Sequence, residues 1–301
     1  MTNLLRYFNN FMNKKRSTAR PVTSTSEPQN VETTVREYKT RAWQSPLRSS
    51  RYNELTKTAP SIFQIIRQDI YIDQVLRFAR SGARILDLGC GSGLISIALS
   101  DLGFDVVSCD ASRAMLDFLE REKGDRPIET RCGDAYAIPA ADGEFDMVIS
   151  RMFIQHFVDW PKILAEKARV TKLDGYVMFD FGNLEHLQAS GLSTSNECGF
   201  PYGNNPKDPS SFYAVASEEE MRSVARDVGL SVEEISPSGL LLTNGFLWKS
   251  IGAEGVGEFN RKVDELLVRD GAREMLGLIE SVVLPLLPKT TTYGNFMVLK
   301  K

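Results

Sequence analysis

The stretch Arg84-Ile85-Leu86-Asp87-Leu88-Gly89-Cys90-Gly91-Ser92-Gly93-Leu94 decides the fold. Its first five residues form a short apolar run that reads as a buried strand, and Leu94 to Leu99 opens a helix. Between them stand three glycines at alternate positions. Glycine lets a backbone turn tightly and approach a ligand closely, and the helix N-terminus that follows offers unpaired N–H groups to an anion. The pattern is G-x-G-x-G. A dinucleotide fingerprint needs G-x-G-x-x-G, and Leu94 occupies the place of its third glycine. The acid at Asp87, two residues before the first glycine, is likewise foreign to that pattern.

Downstream, strands and helices alternate. Asp105 to Cys109 is a second strand, and Ser112 to Glu122 a helix with Met115, Leu116 and Leu119 on one face. Ile128 to Thr130 is a third strand, Phe145 to Ser150 a fourth, and Tyr176 to Phe179 a fifth, after a helix over Pro161 to Val170. Such alternation implies parallel strands joined by helical crossovers. Upstream, Ile62, Ile65, Ile66, Tyr71, Val75, Leu76 and Phe78 form a helical stripe. Beyond the fifth strand, Ser217 with Glu220 three residues on caps a helix through Val228. Leu230 to Ile235 and Asn295 to Lys300 read as the last strands, with helical patterns between about 240 and 288.

The ends and the composition bound the rest. Residues 1–45 are polar and basic and read as disordered around Arg20 to Pro28. Leu4, Leu5, Phe8, Phe11 and Met12 nevertheless sit at helical spacing before Lys14-Lys15-Arg16. That leader is read as a frayed segment, the alternatives being a membrane-surface helix or an organelle-targeting peptide within residues 1–20. With 36 Lys and Arg against 39 Asp and Glu the net charge is −3, which argues against a nucleic-acid partner. No run approaches the roughly 18 apolar residues of a membrane span, and a cytoplasmic location is expected. The four cysteines, Cys90, Cys109, Cys132 and Cys198, form no CxxC pair. Together with only two histidines, His156 and His186, this leaves no metal site expected and suggests free thiols in a reducing compartment.

Five motifs in order then resemble the class I S-adenosylmethionine (SAM)-dependent methyltransferases, and within them the ubiquinone-biosynthesis-like group acting on small molecules. They are the glycine loop; Cys109-Asp110-Ala111-Ser112 with Met115-Leu116; Gly133-Asp134-Ala135 leading to Ile138-Pro139; Phe145 to Ser150 followed by Gln155-His156-Phe157; and Arg169-Val170-Thr171-Lys172-Leu173-Asp174-Gly175. The resemblance covers residues 60 to 182 well and the rest weakly. It implies a doubly wound, mostly parallel seven-stranded α/β sheet, Rossmann-like, over residues 46–301, with helical acceptor-lid insertions at about 183–213 and 240–288.

It also implies SAM as cofactor and a role for each matched residue. The Asp87, Gly89, Cys90, Gly91, Ser92 and Gly93 loop would hold the methionine end, with Cys90 a small residue beneath the cofactor. Asp110, about 20 residues past the first glycine, would accept from the ribose hydroxyls with Ala111 beside it. Asp134 would accept from the adenine amino group, the Ala135 N–H would meet a ring nitrogen, and Met115 would cover the adenine face. Ser150 and Arg151 stand at the carboxyl end of the fourth strand, where such sheets bind ligands. Read without the resemblance, Asp110 is a helix cap, Asp87 a loop anchor, and Ser150 and Arg151 loop contacts. His156 is the candidate catalytic base, an orienting or packing role being the alternative.

The expected activity is methyl transfer to a small-molecule or glycan acceptor, on oxygen. The alternatives are C-methylation of a quinone-like ring and a non-catalytic SAM-binding protein. The acceptor is expected to be read by residues 36–52, 183–213 and 240–288, with Tyr38, Trp43, Phe200, Tyr202, Phe212, Tyr213, Phe246 and Trp248 as aromatic surface. Tyr38 to Trp43 resembles the segment that closes over SAM in small-molecule members.

Overall fold

The computed structural model describes residues 28–53, 62–190 and 212–237, and residues 255–301 apart from 256, 257, 260, 264 and 270. The expected leader, most of the first lid insertion, the first part of the second, and Cys198, Phe200, Tyr202, Phe246 and Trp248 lie outside the described residues.

The central sheet grows from β1 (Arg84–Leu88), β2 (Asp105–Asp110), β3 (Glu129–Cys132), β4 (Phe145–Ser150) and β5 (Thr171–Asn183), all parallel. The later strands are β6 (Val215–Ala216), β7 (Ser231–Pro237) and β8 (Gly294–Lys300). The order is β3-β2-β1-β4-β5-β8-β7. Seven strands on this path match the expected count, and the two-residue β6 adds an eighth beside β5. β8 runs antiparallel between β5 and β7. Leu86 lies opposite Val107 on one side and Val148 on the other, so the chain reverses direction of growth at β1 and leaves a crevice beyond the carboxyl ends of β1 and β4.

Alternation along the strands makes two cores. Ile85, Val106, Met147 and Ile149 are buried on one face with Tyr71 and Val75 of α3 (Ile62–Phe78) and with Ile95 and Leu99 of α4 (Leu94–Asp101). Leu86, Val107, Phe145 and Val148 meet Ile163 and Leu164 of α6 (Trp160–Val170) on the other. Each such side chain contributes about 1.5–3 kcal/mol on burial. α5 (Arg113–Glu122) and α7 (Glu218–Asp227) complete the layers, and Ser217 caps α7 by accepting from Glu220 N–H at 3.0 Å, as its sequence predicts.

One expectation fails at the N-terminal side. The polar segment expected to be disordered as far as residue 45 is helical from Pro28, as α1 (Pro28–Gln44), followed by α2 (Pro46–Asn53). Its apolar content is too sparse to announce a core helix. It is held by single contacts: Val35 is buried in the main core, and the Trp43 carbonyl accepts from Ser112 Oγ at 2.7 Å.

A buried cation sits under the crevice. Lys167 of α6 is fully buried and donates to Ser150 Oγ. Burial pushes its pKa down to about 7, with Asp180 and Asp87 opposing. An unfolded lysine holds its proton to about pH 10.4. Between about pH 7 and 10 the unfolded chain therefore binds more protons, and raising the pH favours the folded state. In Lys167→Met that rise should vanish, a difference on the order of a few kcal/mol in urea unfolding compared at pH 7 and 9.5. Parallel pH profiles for the two proteins would contradict it.

Candidate active site

The crevice holds a cavity of about 350 Å³. Its floor is the loop after β1. Gly89 has φ +75°, and a Cβ there would lie 2.1 Å from Phe153 Cδ2. Gly93 has φ +82°, and its Cβ would lie 2.3 Å from Leu119. The turn is pinned by Gly89 N–H donating to the Cys109 carbonyl at 2.7 Å. Gly93 caps α4 with no side-chain cap, so the first N–H groups of that helix have no side-chain acceptor from the capping residue.

Gly89, Gly91, Asp110, Ala111, Met115, Asp134, Ala135, Arg151 and His156 all line the cavity. Asp87, Cys90, Ser92, Gly93 and Ser150 do not, although the resemblance implied cofactor contact for them. Asp87 is buried beneath the loop, where it accepts from Ser96 Oγ at 2.6 Å and so ties β1 to α4. Burial raises its pKa to about 6, opposed by that hydrogen bond. Ser92 is buried, and the Cys90 thiol turns to the Gly91 carbonyl at 3.5 Å. Gly93 serves the turn. Ser150 is fully buried and engaged by Lys167 rather than turned to the crevice. Burial pushes the Cys109 thiol up to about 12 and the Cys90 thiol up as well, so neither is a ready nucleophile.

Asp110, at the end of β2, accepts from Gly91 N–H at 2.9 Å and Ser112 N–H at 2.8 Å. Burial raises its pKa, with those two donors opposing. The cap of α5 is Ser112, whose Oγ accepts from Met115 N–H, and not Asp110. The Asp110 carboxylate thus couples the glycine loop to the end of β2 and borders the cavity.

Asp134 accepts from Tyr136 N–H at 3.0 Å and pairs with Arg36 of α1, whose guanidinium lies 4.4 Å from the Tyr136 ring centroid. Both charged side chains are 45% exposed, and a pair so wet is worth about 0–1 kcal/mol, little enough to yield to a ligand.

His156 ends a 3₁₀ turn (Ile154–His156) between Trp43, at 6.4 Å between ring centroids, and Tyr213, at 5.1 Å. Burial pushes its pKa down to about 3, helped by the positive charges of Lys39 and Arg48 and opposed by a hydrogen bond to the Met152 backbone. It is a neutral, weakly basic imidazole.

The structure also brings in residues that motif reading missed: Tyr136, Met152, Phe153, Phe157 and Val158. Phe153 and Phe157 stack edge to face at 4.8 Å. Their spacing on either side of Gln155-His156 is the signal that was available. Met152 has φ +52°, held by its N–H donating to Asp180 Oδ1 at 2.6 Å. Tyr38 is exposed and does not line the cavity, whereas Trp43 does.

Among the described residues no three His, Cys, Asp or Glu side chains are grouped to hold a metal, and no helix is long and apolar enough to cross a membrane.

Comparison with known proteins points the same way as the geometry. Residues 86–179 match the family described as a methyltransferase domain. The chain is 40% identical over 94 residues to a demethylmenaquinone methyltransferase of Renibacterium salmoninarum, covering 31% of this chain and 39% of that one. It is 28% identical over 161 residues to a ubiquinone biosynthesis O-methyltransferase of Mesorhizobium japonicum, covering 50% and 62%. The chain therefore spans only about two fifths of the demethylmenaquinone enzyme it matches. In fold it is similar to a phosphoethanolamine N-methyltransferase of Haemonchus contortus solved with phosphomonomethylethanolamine and S-adenosylhomocysteine. That match has TM-score 0.51 and 20% identity, over 89% of this chain and 60% of that one.

Proposed function

From a chain that carries a methyltransferase domain at residues 86–179, on the fold of SAM-dependent methyltransferases, we infer that it transfers the methyl group of SAM to an oxygen of a small-molecule or glycan acceptor. The observation that carries this is the Asp110 carboxylate bordering a cavity whose floor is a turn of glycines held at positive φ.

The residues present suit SAM. Backbone groups of Gly89 and Gly91 would hold its amino-acid end, Asp110 its ribose hydroxyls, and Asp134 with the Ala135 N–H its adenine, Arg36 giving way. Bound there, it supplies an electrophilic methyl on a sulfonium. The protein's part is to align an acceptor and keep water out. Trp43, Phe153, Phe157 and Val158 give the cavity an apolar wall suited to that.

His156 is better suited to orienting than to general-base work, since an imidazole with a pKa near 3 takes a proton poorly at neutral pH. His156→Ala should therefore lower kcat by less than about tenfold, whereas loss of a general base costs ~10²–10⁴-fold. A loss in that larger range would restore His156 as the base.

The direct test is calorimetry followed by turnover. SAM and S-adenosylhomocysteine should bind and NAD should not, and labelled methyl should pass from SAM into a pool of cell metabolites. Tight NAD binding would overturn the cofactor reading. SAM binding with no transfer to any metabolite would favour a non-catalytic SAM-binding protein.

A further inference from the structure

Among the described residues two other than glycine stand at positive φ, Asp174 at +60° and Met152 at +52°. Aspartate tolerates that region, but methionine is strained there unless its surroundings hold it. What holds Met152 is Asp180, whose Oδ1 accepts the Met152 N–H at 2.6 Å. The sheet puts the two together. Ser150, the last residue of β4, lies opposite Phe179 of β5, so Asp180 comes next along β5, beside the chain as it leaves β4. Asp180 is 4% exposed. A carboxylate so buried needs both a countercharge and hydrogen bonds. Lys167, fully buried, is close enough to feel its charge, and Met152 supplies a hydrogen bond.

The held turn shapes the cavity. Met152, Phe153 and His156 all line it. Phe153 follows Met152 directly, and its ring rests on Gly89, where an added Cβ would lie 2.1 Å from Phe153 Cδ2. The Phe153 carbonyl accepts from His156 N–H at 3.0 Å, and His156 also has its hydrogen bond to the Met152 backbone. If the Met152 peptide turned to relieve its strain, Phe153 would leave the glycine floor and His156 would move with it.

We propose that Asp180 is a positioning residue for the cofactor: acting through the Met152 N–H, it holds the turn that lays Phe153 on the glycine floor. The proposal rests on the methyltransferase reading and adds to it a residue outside the cavity lining. Without the carboxylate, the free protein relaxes at Met152, and each binding event must rebuild the strained turn. Glycine at 152 would accept the same φ with little strain, so it should make the carboxylate dispensable. A carboxylate that served only to neutralise Lys167 would be needed equally with either residue at 152.

The test is a double-variant cycle read by calorimetric titration of S-adenosylhomocysteine. Asp180→Ala should lower affinity by about tenfold or more, the range of a hydrogen bond to a charged group. Asp180→Asn, which keeps an acceptor oxygen, should lose only about threefold. In a Met152→Gly background, Asp180→Ala should cost less than about threefold, measured against Met152→Gly alone. The stoichiometry of each titration counts the folded fraction. Should Asp180→Ala fail to fold, Asp180→Ala/Lys167→Met removes the stranded lysine and is compared with Lys167→Met through the same cycle. Equal losses with and without Met152→Gly, or wild-type affinity in Asp180→Ala, overturns the proposal while wild-type binding keeps the methyltransferase reading. A wild-type protein that binds no S-adenosylhomocysteine overturns the reading and the proposal together.

Discussion

Gly89→Ala should cost roughly a hundredfold in SAM affinity and lower the melting temperature by a few degrees. Two effects add. A residue other than glycine held at φ +75° pays about 1–3 kcal/mol of backbone strain. The new methyl would also lie 2.1 Å from Phe153 Cδ2 and 2.6 Å from its Cγ. Contact at Cγ leaves the ring no small rotation by which to escape, so either Phe153 swings into the cavity or the loop lifts. If the loop lifts, the bond from Gly89 N–H to the Cys109 carbonyl goes and the backbone groups of the floor are misplaced. The double variant Gly89→Ala/Phe153→Ala separates the two effects. It should recover part of the affinity by removing the clash and leave the strain. A single variant that binds SAM like the wild type would show that the floor of the cavity is not where the cofactor rests.

Asp110→Ala should weaken SAM binding by about 1.5–3 kcal/mol, or some 10- to 150-fold, the usual worth of hydrogen bonds to a charged group. The carboxylate has lone pairs left after receiving Gly91 and Ser112 N–H, and the residue lines the cavity. Alanine also orphans the Gly91 N–H, so the loop should loosen even without ligand. Asp110→Asn keeps one carbonyl acceptor and should fall between the two. Calorimetry on the three proteins checks the order. Wild-type affinity in the alanine variant would remove Asp110 from the site.

The parallel core was legible because its signal is local. β1 and β4 run where their apolar residues say, Arg84–Leu88 and Phe145–Ser150, the first ending at Gly89 and the second lying between Glu144 and Arg151. β5 is longer than its apolar stretch, reaching back to Thr171 and on to Asn183, because its backbone pairing with β4, β6 and β8 continues where side-chain patterning ends. α1 was illegible for the opposite reason: its stability lies in contacts to residues about seventy to a hundred positions away, Trp43 with Ser112 and Arg36 with Asp134. The same holds at the site. Asp110 and Asp134 stand at strand ends that spacing reveals, and both line the cavity. Ser150 stands at such an end too, but the lysine that draws it inward comes from the next helix, seventeen residues on, and no strand pattern announces it.

The position of β8 sets an order on the birth of the sheet. Among the described residues β7 hydrogen-bonds within the sheet to β8 alone, and β8 follows it by more than fifty residues. On a ribosome adding roughly 5–20 residues each second, β7 emerges several seconds before its partner exists. Through that interval the outer edge of β5 that β8 will cover is also bare. A nascent chain paused there displays two unpaired strand edges at once, each a template on which a neighbouring chain can pair.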